Sequence, residues 1–159
     1  MSGWGAPDSL SVDAAGLRLG LVATRWHGAV VDNMLERARA AAKECGVTEV
    51  IEARVSGSVE LPVVAQALAR RCDAVVALGV VVRGDTAHFE FVCKAVTEGL
   101  TRVALDESTP VAHGVLTVDS IGQAKDRAGF ADSREDKGWT ATMAALDAAV
   151  AQREILGAG

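Results

Sequence analysis

The run Ala74-Val75-Val76-Ala77-Leu78, continued by Gly79-Val80-Val81-Val82, constrains this chain more than any other feature. It is short, rich in Val and free of polar alternation, the pattern of a strand covered on both faces in a parallel sheet. The strand stops at Arg83-Gly84, and Asp85 and Thr86 are good N-caps for the periodic segment that follows. A strand ending in a Gly turn at a helix N-terminus gathers free backbone N–H groups and a partial positive charge, which suit a phosphate. His88 lies just inside that helix, so a titratable imidazole stands beside an anion cradle. This is the first place to look for catalysis.

The rest of the chain alternates in the same way. Leu17 to Ala23 reads as a first strand. Val30, Val31, Met34, Leu35, Ala38 and Ala42 recur at helical spacing, and Gly46 ends that helix. Glu49 to Val55 reads as a second strand, and Pro62 opens a helix running to about Arg71. After the third strand a helix is expected from about His88 to Glu98. Thr101 to Leu105 then reads as a fourth strand and Pro110 to Thr117 as a fifth extended piece. Ser120 and Gln123 form a capping box for a short helix closed by Gly129. A last helix is expected from near Ser133-Arg134-Glu135-Asp136, with Trp139, Met143, Leu146 and Val150 on one face. The alternation predicts a three-layer αβα sandwich around a mainly parallel sheet. Residues 1–15 read as an arm without a core of its own, and 16–159 as one domain.

Composition narrows the function classes. Of 159 residues, 50% are hydrophobic but only 4% aromatic, so the core is built from small side chains. A mean hydropathy of +0.23 is high for a monomer of this size, which points to apolar surface buried between subunits. A net charge of −5 argues against nucleic-acid or anionic-membrane partners. Cys45, Cys72 and Cys93 show no metal or redox spacing and read as reduced thiols of a cytosolic protein. No apolar run is long enough to span a bilayer, and no basic-then-apolar signal opens the chain, so a cytoplasmic location is expected.

Ligands of such folds bind at the carboxyl ends of the strands. Three loops satisfy that condition: Thr24-Arg25-Trp26-His27-Gly28, Ser56-Gly57-Ser58-Val59-Glu60 and Val82-Arg83-Gly84-Asp85-Thr86. Together with Gly57 to Val63, Ala77 to Phe89, Gly114-Val115-Leu116-Thr117, Asp126-Arg127-Ala128-Gly129 and Glu135-Asp136-Lys137-Gly138, they resemble the lumazine synthase family of riboflavin biosynthesis. The matching pieces occur in order over nearly the whole chain.

The resemblance implies a flavodoxin-like sandwich with a four-stranded, mainly parallel sheet. It implies a transferase that condenses 5-amino-6-(D-ribitylamino)uracil with 3,4-dihydroxy-2-butanone 4-phosphate, releasing phosphate and water, with no metal or organic cofactor. It also implies a homopentamer, in some members a larger shell, with active sites between subunits. Trp26 matches the aromatic that stacks on the pyrimidine, and Ser58, Val59 and Glu60 the segment holding the ribityl chain. Val80, Val81 and Val82 match the strand end whose backbone meets the pyrimidine edge, their side chains being core. Asp85 and Thr86 match the phosphate turn; the Asp85 backbone is expected to bind while its carboxylate points away. His88 matches the proton-transfer histidine, and Arg127 and Lys137 the cations given by the adjacent subunit. His113 takes the neighbouring-subunit position that approaches the pyrimidine.

For several of these residues a plain structural role is also at hand. Glu60 is a favourable acid at a helix start, Asp85 and Thr86 are caps, and Arg127 complements a helix C-terminus. Lys137 opposes the dipole of the helix it opens, which fits recruitment for an anion. The alternative reading is a non-catalytic flavin- or lumazine-binding or shell-forming homologue. A flavodoxin-like electron carrier would need a Ser/Thr-rich phosphate loop after the first strand, which Thr24 to Gly28 does not supply.

Overall fold

The structure, a computed structural model, describes residues 4–7 and 10–157. Four strands, β1 (Arg18–Thr24), β2 (Glu49–Val55), β3 (Ala74–Val82) and β4 (Val111–Val118), form one parallel sheet in the order β2-β1-β3-β4. The helices are α1 (Gly28–Glu44), α2 (Leu61–Ala69), α3 (His88–Glu107), α4 (Ile121–Lys125) and α5 (Lys137–Gly157), with a single 3-10 turn at Ser58–Glu60. The αβα sandwich expected from the alternation is therefore present.

β3 is buried from Ala74 to Val80 and only half-buried at Val81 and Val82, as a central strand opening into a ligand site should be. Its side chains alternate between two cores. Val76, Leu78 and Val80 pack with α1 and α5 against Leu19, Leu21, Met34 and Leu146. Val75 and Ala77 pack with α2 and α3 against Leu61, Leu68, Val96 and Leu100. Each fully buried Leu contributes about 1.5–3 kcal/mol, and both faces carry such residues, the α1 and α5 side more of them.

Two expectations fail. Thr101 to Leu105 is no strand, because α3 continues to Glu107. The apparent alternation of Thr101, Val103 and Leu105 misleads. Leu105 is 76% exposed, while Val96, Leu100 and Val103 are buried at the helical offsets of four and three residues. The Thr101 hydroxyl donates to the Thr97 carbonyl at 2.9 Å, and Arg102 pairs with Asp106 one turn on. Helix geometry thus uses residues whose β-branching alone suggests a strand. The fifth extended piece is consequently the fourth strand, β4.

The last helix begins at Lys137, immediately after the Ser133–Asp136 stretch where the sequence places its start. Residues 126–136 form a tied loop, with Glu135 N donating to Asp126 O at 3.0 Å, Gly129 N to Glu135 O at 3.1 Å and Lys137 N to Arg127 O at 2.9 Å. Ser133 accepts from Phe130 N at 2.9 Å, so its hydroxyl closes this loop and caps no helix. Arg37 of α1 grips the loop through Asp136 at 2.8 Å and lies 5.0 Å over the Trp139 ring. Gly138 is buried against α1, where a Cβ would collide with the Met34 carbonyl oxygen.

The cap of α3 also differs, since its N-cap is Ala87 and neither Asp85 nor Thr86. The Thr86 hydroxyl still accepts from His88 N, at 3.3 Å, one position earlier than expected. In the arm, residues 1–3, 8 and 9 lie outside the described residues. Ala14 is buried and its N–H donates to Cys45 O at 2.8 Å, so that end of the arm is docked. Cys45 and Cys72 are buried and Cys93 half-buried, all as free thiols whose pKa burial pushes up. Among the described residues no helix is long and apolar enough to cross a membrane.

Candidate active site

The carboxyl ends of β1, β2 and β3 deliver their loops to one cleft of about 410 Å³. Its lining includes Trp26, His27, Ser58, Val59, Glu60, Val80, Val81, Val82, Gly84, Thr86 and His88. Most of the residues selected from the sequence thus meet in one place.

Trp26 is placed by backbone pairing after β1, since Arg25 N donates to Val55 O at 2.8 Å and Trp26 N to Ser56 O at 3.3 Å. His27 then turns through the left-handed region (φ 55) to start α1. The indole is left 66% exposed, an apolar plate facing the cleft with nothing covering it. Ser58 is buried beneath the second loop, made possible by Gly79, where an added Cβ would stand 3.0 Å from the Ser58 hydroxyl oxygen. The Glu60 carboxylate accepts from Gly57 N at 2.9 Å, so it braces its own loop. Val80 to Val82 line the cleft, and their side chains also pack into the two cores.

At the far wall, Gly84 and Thr86 line the cleft and the exposed Asp85 between them does not. His88 stands exposed at the first position of α3, and Phe89 and Val92 of the same helix complete the wall. The site thus combines a stacking surface, polar groups for a hydroxylated chain, helix-start amides for an anion and an imidazole. That set can align a heteroaromatic amine with a phosphorylated partner. Among the described residues, no three His, Cys, Asp or Glu side chains converge as a metal site would require.

Three selected residues lie elsewhere. His113 is on β4 opposite Ala77, five residues short of the Val82–Val118 level, or about 16 Å down the strand at 3.3 Å per residue. Its Nε2 is 3.1 Å from the Thr97 hydroxyl, and burial lowers its pKa, with the charge of Lys137 acting in the same direction. Arg127 lines a separate groove of about 820 Å³ beside α4, donating to Gln123 O at 3.0 Å and approaching Glu135 at 3.9 Å. Lys137 is half-buried at the start of α5, its backbone tied to Arg127. None of the three lines the Trp26 cleft: His113 lies on β4, while Arg127 and Lys137 belong to a loop held against α1, where Ala29 lines the Arg127 groove and Asn33 donates to Ala128 O at 2.8 Å.

The sequence reading missed Phe89, Val92 and Thr97. The spacing of Phe89 and Val92 after His88, one helical turn apart, was a usable signal for the first two. Thr97 had none, because its link to His113 crosses 16 residues and two elements.

Comparison with known proteins follows the same lines. Residues 16–153 match the family model of 6,7-dimethyl-8-ribityllumazine synthase. The 6,7-dimethyl-8-ribityllumazine synthase of Salinispora arenicola is 68% identical over 98% of this chain and 93% of its own length. Those of Thermobifida fusca and Saccharopolyspora erythraea are each 60% identical, covering 98% and 99% of this chain and 91% and 95% of their own. With its cleft, loops and length all accounted for, the chain belongs to the 6,7-dimethyl-8-ribityllumazine synthase family.

Proposed function

We infer that this chain condenses 5-amino-6-(D-ribitylamino)uracil with 3,4-dihydroxy-2-butanone 4-phosphate to give 6,7-dimethyl-8-ribityllumazine, phosphate and water. The carrying observation is the single cleft that joins Trp26, the Ser58–Glu60 turn, the Gly84–Thr86 amides and His88. The pyrimidine stacks on Trp26, its ribityl chain lies along Ser58, Val59 and Glu60, and its edge meets the backbone of Val80 to Val82. The phosphate sits on the Asp85 and Thr86 amides, with Arg127 and Lys137 supplied by a neighbouring copy. His113 of that copy approaches the pyrimidine.

The primary amine attacks the ketone and loses water as an imine forms. A proton leaves the adjacent carbon as phosphate departs, giving an enol that becomes a ketone. The ribitylamino nitrogen attacks this second carbonyl, and loss of another water closes the ring. Alignment supplies most of the acceleration, and His88 carries protons between steps, worth about 10²-fold.

A homopentamer, cytoplasmic in location, is the assembly that fits this division of groups. Val63, Phe91 and Leu105 are each more than two-thirds exposed on α2 and α3, apolar area available for contact with other copies. The accessible surface of 8761 Å² also exceeds the roughly 7500 Å² expected of a monomer of this mass. Incubation with both substrates, following lumazine fluorescence against released phosphate, tests the activity. One phosphate per lumazine supports it, and phosphate release without lumazine would not.

A further inference from the structure

Arg83 sits in the anion-binding turn, where a cation is expected to bind phosphate, yet it faces away from the cleft that Val82 and Gly84 line. Its Nε donates to Asp119 at the end of β4 at 2.7 Å, and a terminal nitrogen lies 3.3 Å from Glu90 of α3. The guanidinium carbon is 4.5 Å from the centre of the Phe89 ring, and Arg83 N donates to Val118 O at 2.8 Å. One side chain therefore ties the end of β4 to the first turn of α3.

That turn has little else to hold it. The buried residues of α3 are Val96, Leu100 and Val103, so its first two turns rest on no buried side chain. The N-cap, Ala87, offers no side-chain acceptor. We propose that Arg83 is a positioning residue, a strut that fixes the start of α3, and with it His88 and the Gly84–Thr86 amides, from outside the cleft. This rests on the activity inferred above. A lone exposed ion pair contributes little, but a planar fork shared by two carboxylates and stacked on a ring is a small network. Lysine, a single point charge, cannot hold all three partners.

The test is steady-state kinetics of Arg83→Met, Arg83→Lys and Asp119→Asn in the full-length protein, with titration of inorganic phosphate alongside. Arg83→Met is expected to raise KM for the butanone phosphate and lower kcat, each roughly 10-fold, leaving KM for the pyrimidine unchanged. Arg83→Lys should restore little of this. The two roles diverge at Asp119→Asn. A strut loses an anchor and the phosphate KM rises a few-fold, whereas a direct phosphate ligand is set free and phosphate binding tightens. Tighter binding in Asp119→Asn, or wild-type kinetics in Arg83→Met, overturns the proposal. The wild-type control separates the two readings: a wild type that neither forms lumazine nor binds phosphate overturns the activity, and the strut with it.

Discussion

The cleft at the ends of β1 to β3 and the cationic patch of Arg127 and Lys137, proposed above as complementary halves of one chemistry, are built differently. The cleft is assembled from loops that follow three strands, each short and held by backbone hydrogen bonds to its neighbours. The patch is assembled from a strand, a tied loop and a helix start, with Arg127 and Lys137 joined through their backbones. The cleft has an exposed indole and free amides, and Arg83, the one arginine of its third loop, is occupied by Asp119 and Glu90. The patch has cations and an imidazole, with Phe130 beside Arg127 in the same groove. On the proposed reading each half is complete in its own chain, and the reaction depends on bringing two copies together.

The strongest way to break this comparison is to damage one half at a time. Arg127→Ala should lower kcat/KM about 10²-fold or more through the phosphate substrate. His88→Ala should slow turnover without abolishing it. Co-assembled as equal amounts in rings, the two variants should regenerate about one quarter of the wild-type sites, those pairing an intact cleft with an intact neighbour. Mixing that restores nothing would show that each chain uses its own Arg127.

A second test strikes the platform of the patch. Gly138→Ala drives a methyl into the Met34 carbonyl and is expected to destabilise the fold by about 3 kcal/mol, read as a fall in Tm. An unchanged Tm would mean that α1 and α5 yield easily and the platform is soft. Thr97→Val removes the hydroxyl beside His113 and should cost about 1 kcal/mol in apparent pyrimidine affinity, with phosphate KM unaltered. Equal effects on both substrates would place His113 elsewhere in the reaction.

The smallest effect concerns pH. Burial holds the folded-state pKa of His113 below its ordinary value, so the unfolded chain binds the proton more readily. Stability from this group is present above the unfolded pKa and is lost as pH falls through it toward the folded value. Wild type should therefore lose more Tm than His113→Asn between pH 7.5 and 5. Parallel losses would count against a buried neutral imidazole.

Much of the fold was legible because the buried strands advertise themselves. β3 reads as an unbroken apolar run, and β2, an edge strand buried only at Val55, still begins at Glu49 and ends at Val55 as the sequence suggests. The misreading of Thr101 to Leu105 arose where β-branched residues occur on a helix, and only burial against α2 and the sheet decides between the two. The meeting of the three loops was likewise legible, since each follows a strand of a parallel sheet. The orientation of Arg83 was not. Its partners are 36 residues away at Asp119 and in the first turn of α3 at Glu90, and no local rule tells a guanidinium which side of a turn to take.

The loop from Asp126 to Asp136 has a consequence for affinity. Cross-strand hydrogen bonds, the Arg37 clamp and the close seat of Gly138 already fix it in the lone chain. Arg127 and Lys137 are therefore offered on a scaffold that needs no further freezing when an anion arrives. On the proposed reading, binding phosphate then costs them side-chain rotamer freedom but not the ordering of a segment.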